Sequence, residues 1–145
     1  MFSSPYAAPA RRGMTGNLYR NVGVETAIDA ADPHRLVAML FDGVLESIAQ
    51  ARGAIRHRNV ALKGRAIGRA ARIVEEGLKA ALDLGRGGEL ARDLDGLYRY
   101  LTLRLTQANL HDDERALDEC RRLVEPLRSA WREIAPVPGA PAAAA

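Results

Sequence analysis

Residues 89–110 read ELARDLDGLYRYLTLRLTQANL and carry two apolar rows at helical spacing. The first row recurs every three or four residues, the period of an α-helix that buries one face. It consists of Leu90, Leu94, Leu97, Tyr98, Leu101, Leu105 and Ala108. The second row lies nearly opposite, is small or apolar apart from one amide, and consists of Gly96, Tyr100, Leu103, Gln107 and Leu110. A helix in a small bundle needs only the first row, so the second row is surplus apolar surface.

Three more segments show the same period. Residues 32–56 begin with Asp-Pro, a good N-cap followed by the residue favoured at the first helical position. Residues 60–83 stop at a glycine-rich loop, and residues 112–134 start with two acids suited to a helix N-terminus. Pro126 lies inside the last segment, where we expect a local kink. Helices joined by connections this short predict an all-α, antiparallel four-helix bundle.

The bundle domain is predicted over residues 32–135 of the 145-residue chain. Residues 1–17 mix Pro, Gly, Ser and Arg without periodicity and predict a flexible tail, and the Pro/Ala-rich residues 136–145 predict a disordered one. Between the first tail and the bundle, residues 18–31 are too short to fold alone, and we expect them to cap an open end or a groove. Their apolar residues are Leu18, Tyr19, Val22, Val24 and Ile28. The alternative for this segment is a permanent lid.

Composition argues against several functions. A net charge of +3 is too mild to indicate nucleic-acid binding, and the single cysteine, Cys120, excludes an intrachain disulfide. No apolar run reaches the roughly 18 residues of a membrane span. An apolar signal region is also missing, so we expect a cytoplasmic protein. No Glu-x-x-His pair or other catalytic or metal-ligating pattern occurs, and we expect a non-enzyme without metal or cofactor. Cys120 lies in an apolar stripe, as expected of a small buried side chain.

The second predicted helix also has more apolar surface than a core requires. The residues flanking its main stripe are Leu62, Ala66, Ile73, Gly77, Ala80 and Leu84. Together with the second row of residues 89–110, they predict a groove that receives an amphipathic partner segment. The alternative is that this flank completes the bundle's own core.

A basic stretch spans the turn before this helix and contains Arg52, Arg56, Arg58, Arg65, Arg69 and Arg72. It is either a solvated face or a docking surface for an acidic partner or nucleic acid. No aromatic residues interleave with the arginines, which weakens the nucleic-acid interpretation.

Several motifs, in order, resemble the flagellar secretion chaperone (FliS) family. LYRNVGVETA at 18–27 is similar to that family's tyrosine and Val-x-Val-Glu-Ser/Thr-Ala stretch, and DPHRLVAMLFDG at 32–43 to its Pro-x-x-Leu-Ile/Val-x-Met-Leu-Phe/Tyr-Asp-Gly motif. GLKAALD, GGELA, LDGLYRY and LTQANL follow between residues 77 and 110, and Trp131 stands where the family commonly has a tryptophan. Arg99 departs from the acid common between the two tyrosines of LDGLYRY.

The resemblance implies a cytoplasmic chaperone that binds the disordered C-terminal region of flagellin. Such a chaperone prevents premature filament assembly and delivers flagellin to the flagellar export gate. The resemblance also implies that the N-terminal segment, with Tyr19 as the family tyrosine, caps the apolar surface until the client displaces it. The alternative is an adaptor that docks another flagellar regulator, such as an anti-sigma factor, or a co-chaperone.

Overall fold

A computed structural model describes residues 4–6 and 32–134. The longer range forms four helices, which confirms the predicted all-α bundle: α1 (Pro33–Arg56), α2 (Val60–Arg72, extended by Ile73–Lys79), α3 (Gly88–His111) and α4 (Glu114–Glu133). Side-chain caps begin three of them. The carboxylates of Asp32 and Asp113 and the amide of Asn59 accept backbone N–H groups at the starts of α1, α4 and α2, respectively. α4 continues as one helix through Pro126.

The helices pack in an up-down-up-down square. Among the described residues, the backbones of α1 and α3 each lie close to those of both α2 and α4, and the diagonal pairs lie farther apart. The first apolar row of α3 lies inside from Tyr98 onward, since Tyr98, Leu101, Leu105 and Ala108 are all buried, whereas Leu90 at its start is 47% exposed. None of the four described helices is long and apolar enough to cross a membrane.

The second helix changes its geometry part-way. Its last seven residues, Ile73–Lys79, form a π-helix, so it ends earlier than the predicted Asp83. In a π-helix each N–H bonds to the carbonyl five residues back, which makes the turn wider than that of an α-helix. Two adjacent rows therefore point inward together, and the buried residues are Ile73, Val74, Gly77 and Leu78.

Lys63 joins α2 to α3 at one end of the bundle. Its side chain is only 11% exposed, and its Nζ lies 2.9 Å from the carbonyl oxygen of Asn109 and 2.5 Å from Oδ1 of Asp112. Asp112 ends α3 in the left-handed conformation, with φ 52°. A cation at a helix C-terminus is favourable because the last carbonyls carry partial negative charge. Lys63 thereby fixes the start of α2 against the end of α3.

Candidate partner-binding surface

The second row of α3 faces away from the core. Tyr100 is 40% exposed, Leu103 53% and Leu110 73%, Gly96 is also exposed, and Gln107 is half-buried. We call these five residues the open face of α3. The packing of the described bundle does not require two exposed leucines on one helix face, and apolar surface exposed on one face is a feature of binding sites.

A polar network ties part of the open face to α4. The Tyr100 hydroxyl donates to Oε2 of Glu119 at 2.6 Å, and Arg104 Nε donates to the other carboxylate oxygen at 2.7 Å. Arg104 also donates to Oε1 of Gln107 at 2.6 Å. These hydrogen bonds, first from Tyr100 and then from Arg104, hold the pKa of Glu119 below its usual value. The network orients Tyr100 and Gln107, and Leu103 and Leu110 remain the exposed leucines of this face among the described residues.

The predicted flank of the second helix divides between core and surface. Ala66, Ile73 and Gly77 are buried within the bundle, so a partner could reach them only if the helices moved. Leu62 is half-buried, whereas Ala80 and Leu84 are exposed. For the first three residues, the alternative that the flank completes the core describes what the structure shows. The π-helical turn explains two of them, because it brings Ile73 and Gly77 to the inward side.

A second apolar region lies at the opposite end of the bundle from Lys63. It is a cleft of about 120 Å³ whose walls come from α1, α3, α4 and the N-terminal residues Pro5 and Tyr6. Its lining includes Phe41, Leu90, Leu94, Tyr98, Leu127 and Trp131. Trp131 is held by two hydrogen bonds to His34: its indole N–H donates to the His34 carbonyl at 2.7 Å, and its own carbonyl lies 2.8 Å from His34 Nε2. The stacked rings of His34 and Trp131 close this end of the bundle between α1 and α4.

The N-terminal residues Pro5 and Tyr6 form one wall of this cleft and cover it. Tyr6 is only 8% exposed, and its ring meets that of Trp131 edge-on at 5.4 Å between centroids. Its hydroxyl is hydrogen-bonded to the hydroxyl of Tyr98. Burial raises the pKa of both tyrosines, so both hydroxyls stay protonated near neutral pH. We call this region the covered cleft.

Backbone contacts hold the same segment in place. The N–H of Asp83 donates to the carbonyl of Pro5 at 2.7 Å, and Tyr6 forms an antiparallel bridge with Leu82. A Cβ on Gly87 would lie 2.6 Å from the Asp83 carbonyl oxygen and 3.0 Å from Cα of Pro5, so only glycine permits this close approach. The structure therefore differs from the predicted flexible tail at Ser4–Tyr6. Sequence reasoning missed these residues because three residues carry no periodicity.

Other predicted residues lie outside the description or away from any reactive chemistry. The cap residues Leu18, Tyr19, Val22, Val24 and Ile28 lie outside the described residues, as does the predicted C-terminal tail.

Cys120 is fully buried, as predicted, and burial raises the pKa of its thiol to about 12. Its thiolate fraction near neutral pH is therefore negligible, which argues against a nucleophile. Within the described ranges, no three His, Cys, Asp or Glu side chains are grouped as a metal site would require.

Fold and surface together define an all-α four-helix bundle whose third helix carries exposed apolar side chains. The family described as "Flagellar protein FliS" matches residues 15–138, and the chain belongs to that family. It is 42% identical to the flagellar secretion chaperone FliS of Salmonella typhimurium over 81% of this chain and 87% of that one. It is 45% identical to FliSB of Pseudomonas aeruginosa over 80% of this chain and 91% of the relative. The family is one of chaperones and not of enzymes, and its match leaves Ser4–Tyr6 outside.

Proposed function

We propose that this protein is a cytoplasmic chaperone of flagellar type III export whose client is the C-terminal region of flagellin. It keeps that region from polymerising early and delivers flagellin to the export apparatus. The observation that carries the proposal is the open face of α3, where Leu103 and Leu110 stay exposed, whereas Tyr98, Leu101, Leu105 and Ala108 on the opposite face are buried. Membership of a secretion chaperone family supports an export substrate as the occupant.

The spacing of the open face suits an amphipathic client helix. Its residues follow one another at intervals of four, three, four and three along α3, so they form a straight stripe about 20 Å long. A client helix with apolar residues at matching intervals can lie along this stripe. Each buried Å² of apolar surface contributes about 25 cal/mol, less the entropy of ordering a disordered chain. Gly96 lets the client backbone approach closely, and the Tyr100 and Gln107 side chains form a polar border.

The N-terminal region acts in this proposal as an intramolecular competitor. Residues Leu18, Tyr19, Val22, Val24 and Ile28 cover part of the client surface until the client displaces them. The covered cleft supports the principle, because Ser4–Tyr6 shows that the N-terminus can fill apolar surface of the bundle. A tethered segment competes at a high effective concentration and lowers the apparent affinity for the client.

Calorimetric titration with the isolated C-terminal segment of the cognate flagellin tests the proposal. We expect a one-to-one complex with a large negative heat-capacity change, the mark of apolar burial coupled to folding. A matched segment with its apolar residues replaced by serine serves as the control and is expected not to bind. If neither the native segment nor whole flagellin binds while circular dichroism shows a folded bundle, flagellin is the wrong client. Another flagellar regulator, such as an anti-sigma factor, or a co-chaperone then takes its place.

A further inference from the structure

A block of the sequence carries positive charge without any compensating acid. Residues 47–74 contain seven basic side chains and no Asp or Glu. The seven are Arg52, Arg56, Arg58, Lys63, Arg65, Arg69 and Arg72. They extend from the second half of α1 through the turn and along α2. The open face of α3 includes none of them, so the proposed flagellin site does not account for the block.

Four of the seven have partners within the bundle. Arg52 and Arg56 reach α4, where Arg56 Nε lies 3.0 Å from Glu114 and Arg52 Nη1 lies 3.4 Å from Asp118. Lys63 caps the end of α3, as described above. Arg69 Nη1 donates to the hydroxyl of Ser47 on α1 at 2.8 Å. These four side chains help to hold the bundle together.

The other three point to a different role. Arg58, Arg65 and Arg72 are exposed, and their side chains make no ion pair or hydrogen bond within residues 4–6 and 32–134. Arg65 and Arg72 are separated by two helical turns, about 10 Å along the axis. The closest acid before the block, Glu46, is also exposed, yet it forms no ion pair with either arginine. The described chain therefore leaves this charge available.

Gly68 separates the two arginines on the same side of the helix, and Ala61 precedes them. Ala61, Arg65, Gly68 and Arg72 are all exposed and form a stripe that we call the outer face of α2. A Cβ added at Gly68, or at the adjacent Gly64, would meet no atom within 4 Å, so packing within the described bundle does not require glycine there. Glycine inside a helix is less favourable than alanine. The outer face therefore presents bare helix backbone between two guanidinium groups.

We propose that the outer face of α2 docks an acidic helical segment of a partner protein. Carboxylates two turns apart on that segment match the separation of Arg65 and Arg72, and guanidinium groups pair with carboxylates through strong, charge-assisted hydrogen bonds. Ala61 and Gly68 let the partner helix approach closely. A protein partner fits better than nucleic acid because residues 47–74 contain no Phe, Trp or Tyr on which bases could stack. This inference does not rest on the proposed flagellin site.

The test uses an alanine-based helical peptide of about 18 residues that carries pairs of Glu two turns apart, with a Gln version as its control. Nuclear magnetic resonance titration of the full chain is expected to shift the amides of Gly64 and Gly68 with the Glu peptide only. The double variant Arg65→Glu/Arg72→Glu should weaken binding at least about tenfold. The variant Arg86→Glu/Arg92→Glu changes the net charge equally at two exposed, unpaired positions elsewhere, and should bind within about twofold of the parent.

Three results would overturn the inference. Equal losses in the two double variants would show a response to net charge alone. Amide shifts centred away from α2 would place the peptide elsewhere. Tighter binding of a single-stranded oligonucleotide of equal charge, with shifts at the same amides, would make this a nucleic-acid surface. The calorimetric affinity of Arg65→Glu/Arg72→Glu for the flagellin segment is expected to stay at the parent value, which separates failure here from failure of the proposed function.

Discussion

Tyr98 and Tyr100 of α3 lie two residues apart in sequence, but the first is buried and the second is exposed. Tyr98 is buried in the covered cleft, and its hydroxyl is bonded to that of Tyr6 from the N-terminus. Tyr100 lies on the open face, and its hydroxyl forms an exposed hydrogen bond with the carboxylate of Glu119. Both regions are apolar, yet among the described residues Ser4–Tyr6 cover one and the other is exposed. Apolar surface alone therefore does not identify a docking site, since another segment of the same chain can cover it.

The comparison also separates two ways of holding a polar group within an apolar region. In the covered cleft the Tyr98 hydroxyl sits where water is excluded, so anything that displaces Tyr6 must either bond to it or leave it unpaired, at a cost of about 1–3 kcal/mol. On the open face the hydroxyl of Tyr100 is already bonded within the bundle. A client helix can therefore cover the leucines there without leaving a buried hydroxyl unpaired.

The largest effect is expected from Leu103→Glu on the open face. Leu103 is 53% exposed, so a client that buries this exposed part gains only about 1 kcal/mol. Leu103→Ala should therefore weaken flagellin binding about fivefold. A carboxylate at the same place must be desolvated as well, which raises the expected loss to about 100-fold. Calorimetric titration with the flagellin segment measures both variants, and circular dichroism should show unchanged helicity.

Ala49→Glu is the matched control for the charge, because Ala49 is an exposed helical position on α1. Its affinity for flagellin is expected to equal that of the parent. Unchanged affinity in Leu103→Glu would remove the open face from the proposed client site and leave the covered cleft as the better candidate.

A smaller effect, on stability and affinity together, is expected from Tyr6→Ala in the covered cleft. The variant loses a buried aromatic ring but regains the disorder of a chain end, and we expect a loss of about 2 kcal/mol in the free energy of unfolding by urea. If flagellin also reaches the covered cleft, removing this tethered segment should at the same time raise the affinity for flagellin several-fold. Tyr6→Phe keeps the ring but leaves the Tyr98 hydroxyl unpaired, so its gain in affinity should be smaller than that of Tyr6→Ala. A loss of stability with no gain in affinity for Tyr6→Ala would make the covered cleft purely structural.

Periodicity predicted the fold because it records which side of each helix is buried. The row from Leu90 to Ala108 identified α3, and the Asp-Pro pair at residues 32–33 identified the start of α1, since a cap and a stripe are local properties of the chain. The end of α2 could not be predicted in this way. The π-helical turn depends on packing against α1 and α3. A search for a period near 3.6 residues detects only regular α-helix, so it cannot show such a turn.

The candidate site was predictable only in part, for a related reason. The open face of α3 follows from one helix and its spacing, whereas the burial of Ala66, Ile73 and Gly77 depends on how far the neighbouring helices extend around α2. The seat of Tyr6 depends on contacts nearly a hundred residues away in sequence, which no local pattern encodes. In retrospect, Gly87 was a signal of close approach, but a glycine in a loop first suggests a turn.

Gly96→Ala should have a modest and two-sided effect. A Cβ at Gly96 would meet no atom within 4 Å, so alanine should raise the free energy of unfolding by about 0.5–1 kcal/mol through better helix propensity. If a client backbone passes over this position, the same methyl group lowers the affinity for flagellin a few-fold. Urea unfolding and calorimetry measure the two effects. Gly53→Ala, equally free of neighbours but on α1, should raise stability without changing affinity. An affinity loss shared by both variants would show that the effect is not specific to the open face.

The smallest expected effect concerns the carboxylate that orients Tyr100. Because hydrogen bonds from Tyr100 and Arg104 hold the pKa of Glu119 below 4.5 in the folded protein, its contribution to stability is present above pH 4.5 and is lost as the pH falls through the lowered value. The difference in unfolding free energy between the parent and Glu119→Gln should therefore be present at neutral pH and shrink in acid. Urea titrations of both proteins across that range measure it, and a difference independent of pH would mean that the charge of Glu119 does not hold the network. Flagellin binding then decides what the network is for. Weaker binding by Glu119→Gln at neutral pH would show that Tyr100 must be held in place for the client, whereas unchanged binding would leave the leucines as the whole of the open face's contribution.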